Sequence, residues 1–180
     1  MTIALGVGII GGGPVTQAIH LPTLARLTQH YRVVAIMDVV ESVSTTVAMR
    51  AGAKSATSVE EIMADPEVEV VAICSPPQFH AEQVEAAIVA GKKAILCEKP
   101  FAVSREEAQH LAAIAQESGV PIVIGAMHTH DSAWLVARES WGDLGETAHT
   151  VHSSIDLPMN PRYEDWATEV HSRAGAETAQ

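Results

Sequence analysis

The sequence predicts an α/β protein: a parallel β-sheet wound in both directions from its centre, with helices on its two faces. Two observations predict it. Short apolar runs alternate with segments of helical periodicity from Thr2 to Gly125, joined by brief connections. The composition is 47% hydrophobic but only 4% aromatic, so the core must be aliphatic, as it is where helices cover a parallel sheet. The right-handed preference of strand–helix–strand crossovers makes such a sheet doubly wound, a Rossmann fold.

The elements follow in order. Thr2 to Ile10 is an apolar run interrupted only by small residues, and Gly11-Gly12-Gly13-Pro14 ends it. Val15 to Leu27 carries Val15, Ile19, Leu24 and Leu27 at helical spacing. Val33 to Met37 is a second buried strand, closed by Asp38. A helix from about Ser42 to Ala51 stops at Gly52, which suits the left-handed position after a helix. Ser58-Val59-Glu60-Glu61 reads as a capping box opening a short helix. Val68 to Cys74 is a third strand, broken by Ser75-Pro76-Pro77, and Gln78 to Ala90 is helical up to Gly91. Ala94 to Cys97 is the next strand and leads into Glu98-Lys99-Pro100. Ser104-Arg105-Glu106-Glu107 is a second capping box, for a helix reaching about Ser118 with Gly119 beyond it. Pro121 to Gly125 is the last strand of this series.

After Gly125 the pattern changes. Asp131 to Trp141 reads as one helix, Val151 to Leu157 as a half-exposed strand, and 158–180 as a polar tail without periodicity. The expected organisation is a sheet domain over 1–127, a connecting helix and first strand of a truncated second domain over 128–157, and an irregular tail over 158–180. A lone strand has unpaired edges. Residues 151–157 are therefore expected to lie exposed, to be disordered, or to pair with another chain. A homo-oligomer or a complementing chain would use the 128–157 region.

Composition excludes several classes. Eleven basic against 22 acidic residues give a net charge of −11, which argues against nucleic acid or an anionic membrane as partner. A phosphate-bearing ligand is still allowed, because amides at a helix start hold one without basic side chains. No apolar run approaches the length of a membrane span. Met1 to Ile10 lacks the basic residues of a secretory signal. Cys74 and Cys97 form no metal-spaced pair, and a cytoplasmic protein with reduced thiols is the expectation. The close histidine pairs, His128/His130 and His149/His152, have no cysteine nearby, and no metal site is expected.

Four places carry chemistry. Gly11-Gly12-Gly13-Pro14-Val15-Thr16 lies between a strand and a helix, where a dinucleotide fingerprint belongs. The first glycine makes the tight turn, and the second lets a pyrophosphate approach the backbone. The third position, usually Gly or Ala, is Thr16. A plain tight turn uses the same residues. Asp38 at a strand end can take both ribose hydroxyls of an adenosine and repels a 2′-phosphate, with Val39 and Val40 offering no cation. That favours NAD over NADP; taken alone, Asp38 is also an ordinary solvated carboxylate. Ser75, Pro76 and His80 stand at the carboxyl end of the third strand, the edge where ligands bind in open parallel sheets. His80 either orients cofactor or substrate or bonds locally. Lys99 emerges from a buried strand between Glu98 and Pro100 and has three readings: a proton donor and acceptor, an electrostatic anchor, or a surface lysine. A methyltransferase shares the Gly-rich loop and the acidic strand end, but has no need of Lys99 in this setting.

The ordered set of motifs resembles the N-terminal half of the glucose–fructose oxidoreductase, inositol dehydrogenase and rhizopine-catabolism (Gfo/Idh/MocA) family. The matching stretches are Gly8-Ile9-Ile10-Gly11-Gly12-Gly13, His20-Leu21-Pro22 with Leu24, Ile73-Cys74-Ser75-Pro76 followed by His80, and Cys97-Glu98-Lys99-Pro100. Gly125-Ala126-Met127-His128 and Leu144-Gly145-Glu146 continue the match over about residues 3–157. The resemblance implies NAD(P)-dependent hydride transfer at a hydroxyl or carbonyl of a sugar, cyclitol or similar small molecule. It implies that Gly11, Gly13, Pro14 and Val15 face the pyrophosphate and Asp38 the adenosine ribose. Ser75, Pro76 and His80 would line the cofactor cleft, with Glu98, Lys99 and Pro100 near nicotinamide and substrate. Lys99 would be the catalytic or substrate-polarising residue. The chain departs from the family at Thr16, at His130-Asp131-Ser132 where many members carry Tyr-Asp-Pro, and in lacking the antiparallel substrate domain. Asp165 and His171 do not stand at that domain's spacing. The expectation is the cofactor-binding half of an oxidoreductase, with a non-catalytic or regulatory NAD(P)-binding module as the alternative.

Overall fold

The computed structural model describes residues 4–141, and its contacts divide them into two units between Gly125 and Ala126. The first unit holds the strands β1 (Leu5–Ile10), β2 (Tyr31–Met37), β3 (Lys54–Ala56), β4 (Val70–Ile73), β5 (Ala94–Cys97) and β6 (Ile122–Ile124). Its helices are α1 (Leu21–Arg26), α2 (Glu41–Ala51), α3 (Val59–Ala64), α4 (His80–Val89) and α5 (Arg105–Ser118). The strands form one six-stranded sheet in the order β3-β2-β1-β4-β5-β6, every neighbour parallel. The chain steps from β1 to β2 and β3 on one side, then crosses back over β1 to β4. That reversal sets the turns after β1 and β4 side by side at the carboxyl edge of the sheet, where such folds bind ligands.

Strand alternation splits the core into two layers. Val7, Ile9, Ile36 and Ala72 pack with Val43, Val47 and Ala48 of α2 on one face. Ile10, Val71, Ile73, Ile95 and Cys97 pack with Ile62 of α3, Val84 of α4 and Leu111 of α5 on the other. Cys74 joins the first layer and Cys97 the second, so the two thiols lie on opposite faces of the sheet.

Helix ends follow their sequence signals. The Ser58 and Ser104 hydroxyls accept the amides of Glu61 and Glu107 at 3.2 and 3.1 Å. The two glutamates reach one residue further back than a capping box requires, to the amides of Thr57 and Val103 at 2.7 Å each. Gly52 and Gly119 end α2 and α5 in the left-handed conformation.

Several expectations are corrected in detail. β3 has no apolar run to announce it, because an edge strand of three residues, two of them exposed, needs none. The strand expected over 68–74 is regular only from Val70 to Ile73, with the Glu69 and Cys74 amides still donating to the Gly6 and Ile10 carbonyls at its ends. The helix expected from Gln78 is preceded by a tight turn at Pro77–Phe79 and begins at His80. The helix expected from Val15 is helical from Pro14 but widens into a π turn over Thr16–His20, where the Leu21 amide reaches back five residues to the Thr16 carbonyl.

In the second unit, a 3-10 turn at Met127–His130 precedes α6 (Ser132–Trp141), and the Trp134 and Trp141 rings meet edge to face at 5.3 Å. His128 and His130 thus lie in a tight turn, and His128 Nδ1 stands 2.9 Å from Asp131 Oδ2. The strand expected over 151–157, the tail and the His149/His152 pair lie outside the described residues.

Candidate active site

The turn after β1 is held from within. Gly11 adopts φ +98°, and a Cβ there would stand 2.6 Å from the carbonyl oxygen of Cys74 at the exit of β4. Only glycine lets these two strand exits touch. The Gly11 amide donates to the Met37 carbonyl at 2.8 Å, and the Gly12 amide to Asp38 Oδ2 at 2.8 Å. Thr16 Oγ1 donates to the Gly11 carbonyl at 2.5 Å and Gln17 Nε2 to the Gly12 carbonyl at 2.7 Å. The turn thereby gives the threonine at the third fingerprint position a use: its hydroxyl, fully buried, closes the loop. Pro14 has no N–H. The amides left to meet an anion are those of Gly13, Val15 and Thr16, since the first amide of this helix with a backbone acceptor is that of Gln17, on the Gly13 carbonyl.

Asp38 stands at the exit of β2. Its Oδ2 takes the Gly12 amide and its Oδ1 the Val40 amide at 2.9 Å, so one carboxylate ties the glycine turn to the approach of α2. Each oxygen keeps a second lone pair for a hydroxyl.

At the exit of β4, Ser75 Oγ donates to Gln83 Oε1 at 2.6 Å, and Pro76 is half-buried. His80 is fully buried. Its Nε2 lies 2.8 Å from the Ser75 carbonyl oxygen and its Nδ1 2.9 Å from that of Pro100. The ring thus ties the exits of β4 and β5 together.

Glu98 continues the ladder of β5, donating its amide to the Ile73 carbonyl at 2.9 Å, and is only 6% exposed. Its Oε1 lies 2.8 Å from His20 Nε2, and its Oε2 accepts the Lys99 amide at 3.2 Å. A Cβ on Gly125, at the exit of β6, would stand 2.9 Å from both carboxylate oxygens. Lys99 and Pro100 are exposed, joined by a cis peptide bond. The structure thus brings Ser75, His80, Glu98, Lys99 and Pro100 onto one cluster of strand exits, and Gly11 and Asp38 onto the neighbouring one.

Burial opposes a charge on His20, but hydrogen bonds with Cys74 and Glu98 outweigh it and raise its pKa to about 10. Burial likewise works against the Glu98 carboxylate, and the His20 bond and the Lys99 amide overcome it, so Glu98 titrates below the ordinary carboxylate range. The two form a buried imidazolium–carboxylate pair. Cys97 is pushed up to about 12 by burial, which makes it a structural thiol.

Sequence reasoning misses His20 and Gln83 as site residues. His20 shows only as part of the His20-Leu21-Pro22 match, and its partner lies 78 residues further on. A cavity of about 830 Å³ opens elsewhere, between α1 and α2, lined among others by Leu24, Tyr31, Val47 and Arg50. It includes none of the expected site residues. Among the described residues no three His, Cys, Asp or Glu side chains gather as a metal site would require, and no helix is long and apolar enough to cross a membrane.

Comparison with known proteins places this geometry. Residues 5–126 match the model of an oxidoreductase family described by its NAD-binding Rossmann fold. The 1,5-anhydro-D-fructose reductase of Ensifer adhaerens is 41% identical over 121 residues, 64% of this chain and 35% of that protein. An inositol 2-dehydrogenase of Pseudomonas syringae pv. syringae is 34% identical over 165 residues, 88% of this chain and 48% of that protein. Among solved structures, GenD2 from gentamicin A biosynthesis, in complex with NAD, superposes with a TM-score of 0.71 at 34% identity, covering 84% of this chain and 42% of that one. KijD10, a 3-ketoreductase from Actinomadura kijaniata in complex with NADP and TDP-benzene, gives 0.69 at 26% identity, covering 80% and 43%. The chain spans half or less of the length of these relatives.

Proposed function

Since the chain belongs to the Gfo/Idh/MocA oxidoreductase family, we propose that it is the cofactor-binding half of an enzyme moving hydride between NAD and a hydroxyl or carbonyl carbon of a sugar or cyclitol. The observation that carries this is Lys99: an exposed residue on an otherwise fastened strand exit, at the same carboxyl edge of the sheet as the turn that fits a dinucleotide. The donor set suits such a cofactor. The Gly13, Val15 and Thr16 amides would hold the pyrophosphate without a cation. Asp38, with a lone pair to spare on each oxygen, would accept the adenosine ribose hydroxyls and disfavour a 2′-phosphate, hence NAD over NADP. Ser75 and Pro76 would line the cleft floor.

A nicotinamide, when bound, supplies the hydride chemistry. Lys99 would take the hydroxyl proton as the substrate carbon is oxidised and return it to the oxygen in reduction. Glu98 and Pro100 would act on either side of it as supports. The relatives named for 1,5-anhydro-D-fructose and inositol motivate the choice of polyhydroxylated substrates.

Calorimetric titration with NADH and NADPH is the first test, with NADH expected to bind at least about tenfold more tightly, a difference of ~1.4 kcal/mol. Binding of neither cofactor would end the proposal, and preference for NADPH would end the role given to Asp38. In the complete enzyme, turnover of a cyclitol and sugar panel, followed by nicotinamide absorbance, should vanish in Lys99→Ala while NADH binding persists.

A further inference from the structure

We propose that His20 and His80 are positioning residues for Lys99, clamping the Glu98-Lys99-Pro100 segment from its two sides. The role rests on the proposed chemistry of Lys99. His20 comes from the π turn after the glycine loop and holds Glu98, whose other oxygen receives the Lys99 amide. His80 comes from the start of α4 and holds the carbonyl of Pro100. Neither ring reaches the Lys99 ammonium in these contacts; both fix the main chain that aims it.

Stability alone does not account for the arrangement. A buried ion pair is often no more stable than apolar residues of the same volume, so two buried charges are a poor way to hold a strand exit. His80 presents one ring nitrogen to the Ser75 carbonyl and the other to the Pro100 carbonyl, so a single buried ring spans the exits of β4 and β5. The π turn adds to this: its extra residue per turn brings His20 inward on a helix that otherwise follows ordinary spacing, and such turns gather at functional sites. The carboxylate also lies over Gly125, where a Cβ would stand 2.9 Å from both of its oxygens, so only glycine at the exit of β6 leaves it room. The titratable groups facing the pair are Cys74 on the His20 side, and Lys99 and Cys97 on the Glu98 side.

The test needs no cofactor. Nitrogen relaxation of the full 180-residue chain should give the Lys99 amide an order parameter of about 0.85, falling below about 0.6 in His20→Gln and in His80→Gln. Gly52→Ala, a destabilised control remote from the site, should leave it unchanged. Should the histidine variants fail to fold, the wild-type chain suffices: lowering the pH through the titration of Glu98, whose carboxylate receives the Lys99 amide and faces His20, should loosen the Lys99 amide and no amide of β2. A Lys99 amide equally rigid in every variant and at every pH would overturn the proposal. Failure of the wild type to bind NADH would remove the oxidoreductase role and leave this measurement standing, so the two failures are distinguishable.

Discussion

Replacing Gly11 by alanine tests the site at its tightest point. Two costs add. The backbone there has φ +98°, outside the range of L side chains, and such strain costs about 1–3 kcal/mol. The new methyl would stand 2.6 Å from the Cys74 carbonyl oxygen and 2.9 Å from the Ser75 amide nitrogen. Those atoms belong to the backbone leaving β4, which is tied into the sheet by the Cys74 amide on the Ile10 carbonyl at 2.7 Å. They cannot swing aside as a side chain would, and overpacking of this kind costs a further ~1–3 kcal/mol. The expected loss is about 2–6 kcal/mol of a stability typically 5–15 kcal/mol. Gly52→Ala supplies the comparison, since Gly52 also has positive φ, +66°, but nothing lies within 4 Å of the Cβ position. It should cost only the strain, about 1 kcal/mol. Urea unfolding at constant m-value measures both. Midpoints equal for the two variants would refute the close contact between the β1 and β4 exits.

Other outcomes follow from the same geometry. His20 has a raised pKa, so its contribution is complete below 6.5 and drains away as pH climbs toward about 10; Glu98 has a lowered one, so its contribution is complete above 4.5 and is lost as pH falls below that. Stability should therefore peak between these limits, with an alkaline slope of up to ~1.4 kcal/mol per pH unit. Urea midpoints across pH should show that slope in the wild type, and an equal slope in His20→Gln would count against the pair. Asp38→Asn replaces one acceptor by a donor facing an amide, and should lower stability by about 1–3 kcal/mol before any cofactor is added. Thermal or urea unfolding reads this, and an unchanged midpoint would mean the carboxylate does not hold the turn. Val39→Arg should raise NADPH affinity relative to NADH without altering the unfolding midpoint, because Val39 is 82% exposed; calorimetry with both cofactors decides it.

The central strands were legible because a strand buried on both faces must be a continuous apolar run, as Val33 to Met37 and Ala94 to Cys97 are. The helix ends were legible because serine and glycine act through their own backbone. β3 was not, since an edge strand can be polar. Lys92 and Lys93 show the limit well. They are chemically identical neighbours, yet Lys92 is buried on the Asp65 and Val68 carbonyls at 3.2 and 2.8 Å, while Lys93 reaches out to Glu69. Nothing local distinguishes them; only the three-dimensional course of the loop before β4 does. In the site, Lys99 stood out through its immediate neighbours Glu98 and Pro100. His20 did not, because what makes it unusual is a carboxylate supplied by a distant strand. His80 could be read two ways from sequence, and its burial between two carbonyls is a fact of packing.

The two backbone amides held by Asp38 bear on how such a chain can change through mutation. A lineage drifting toward the phosphorylated cofactor gains by discarding the carboxylate at position 38, yet that same change releases the glycine loop and the approach to α2 together. The first step in that direction is therefore a loss of folding stability, visible to selection before any new preference exists. Position 39 carries no such obligation. Adaptation is free to begin there, one residue along, and residue 38 is free to change only after other contacts have taken over the loop.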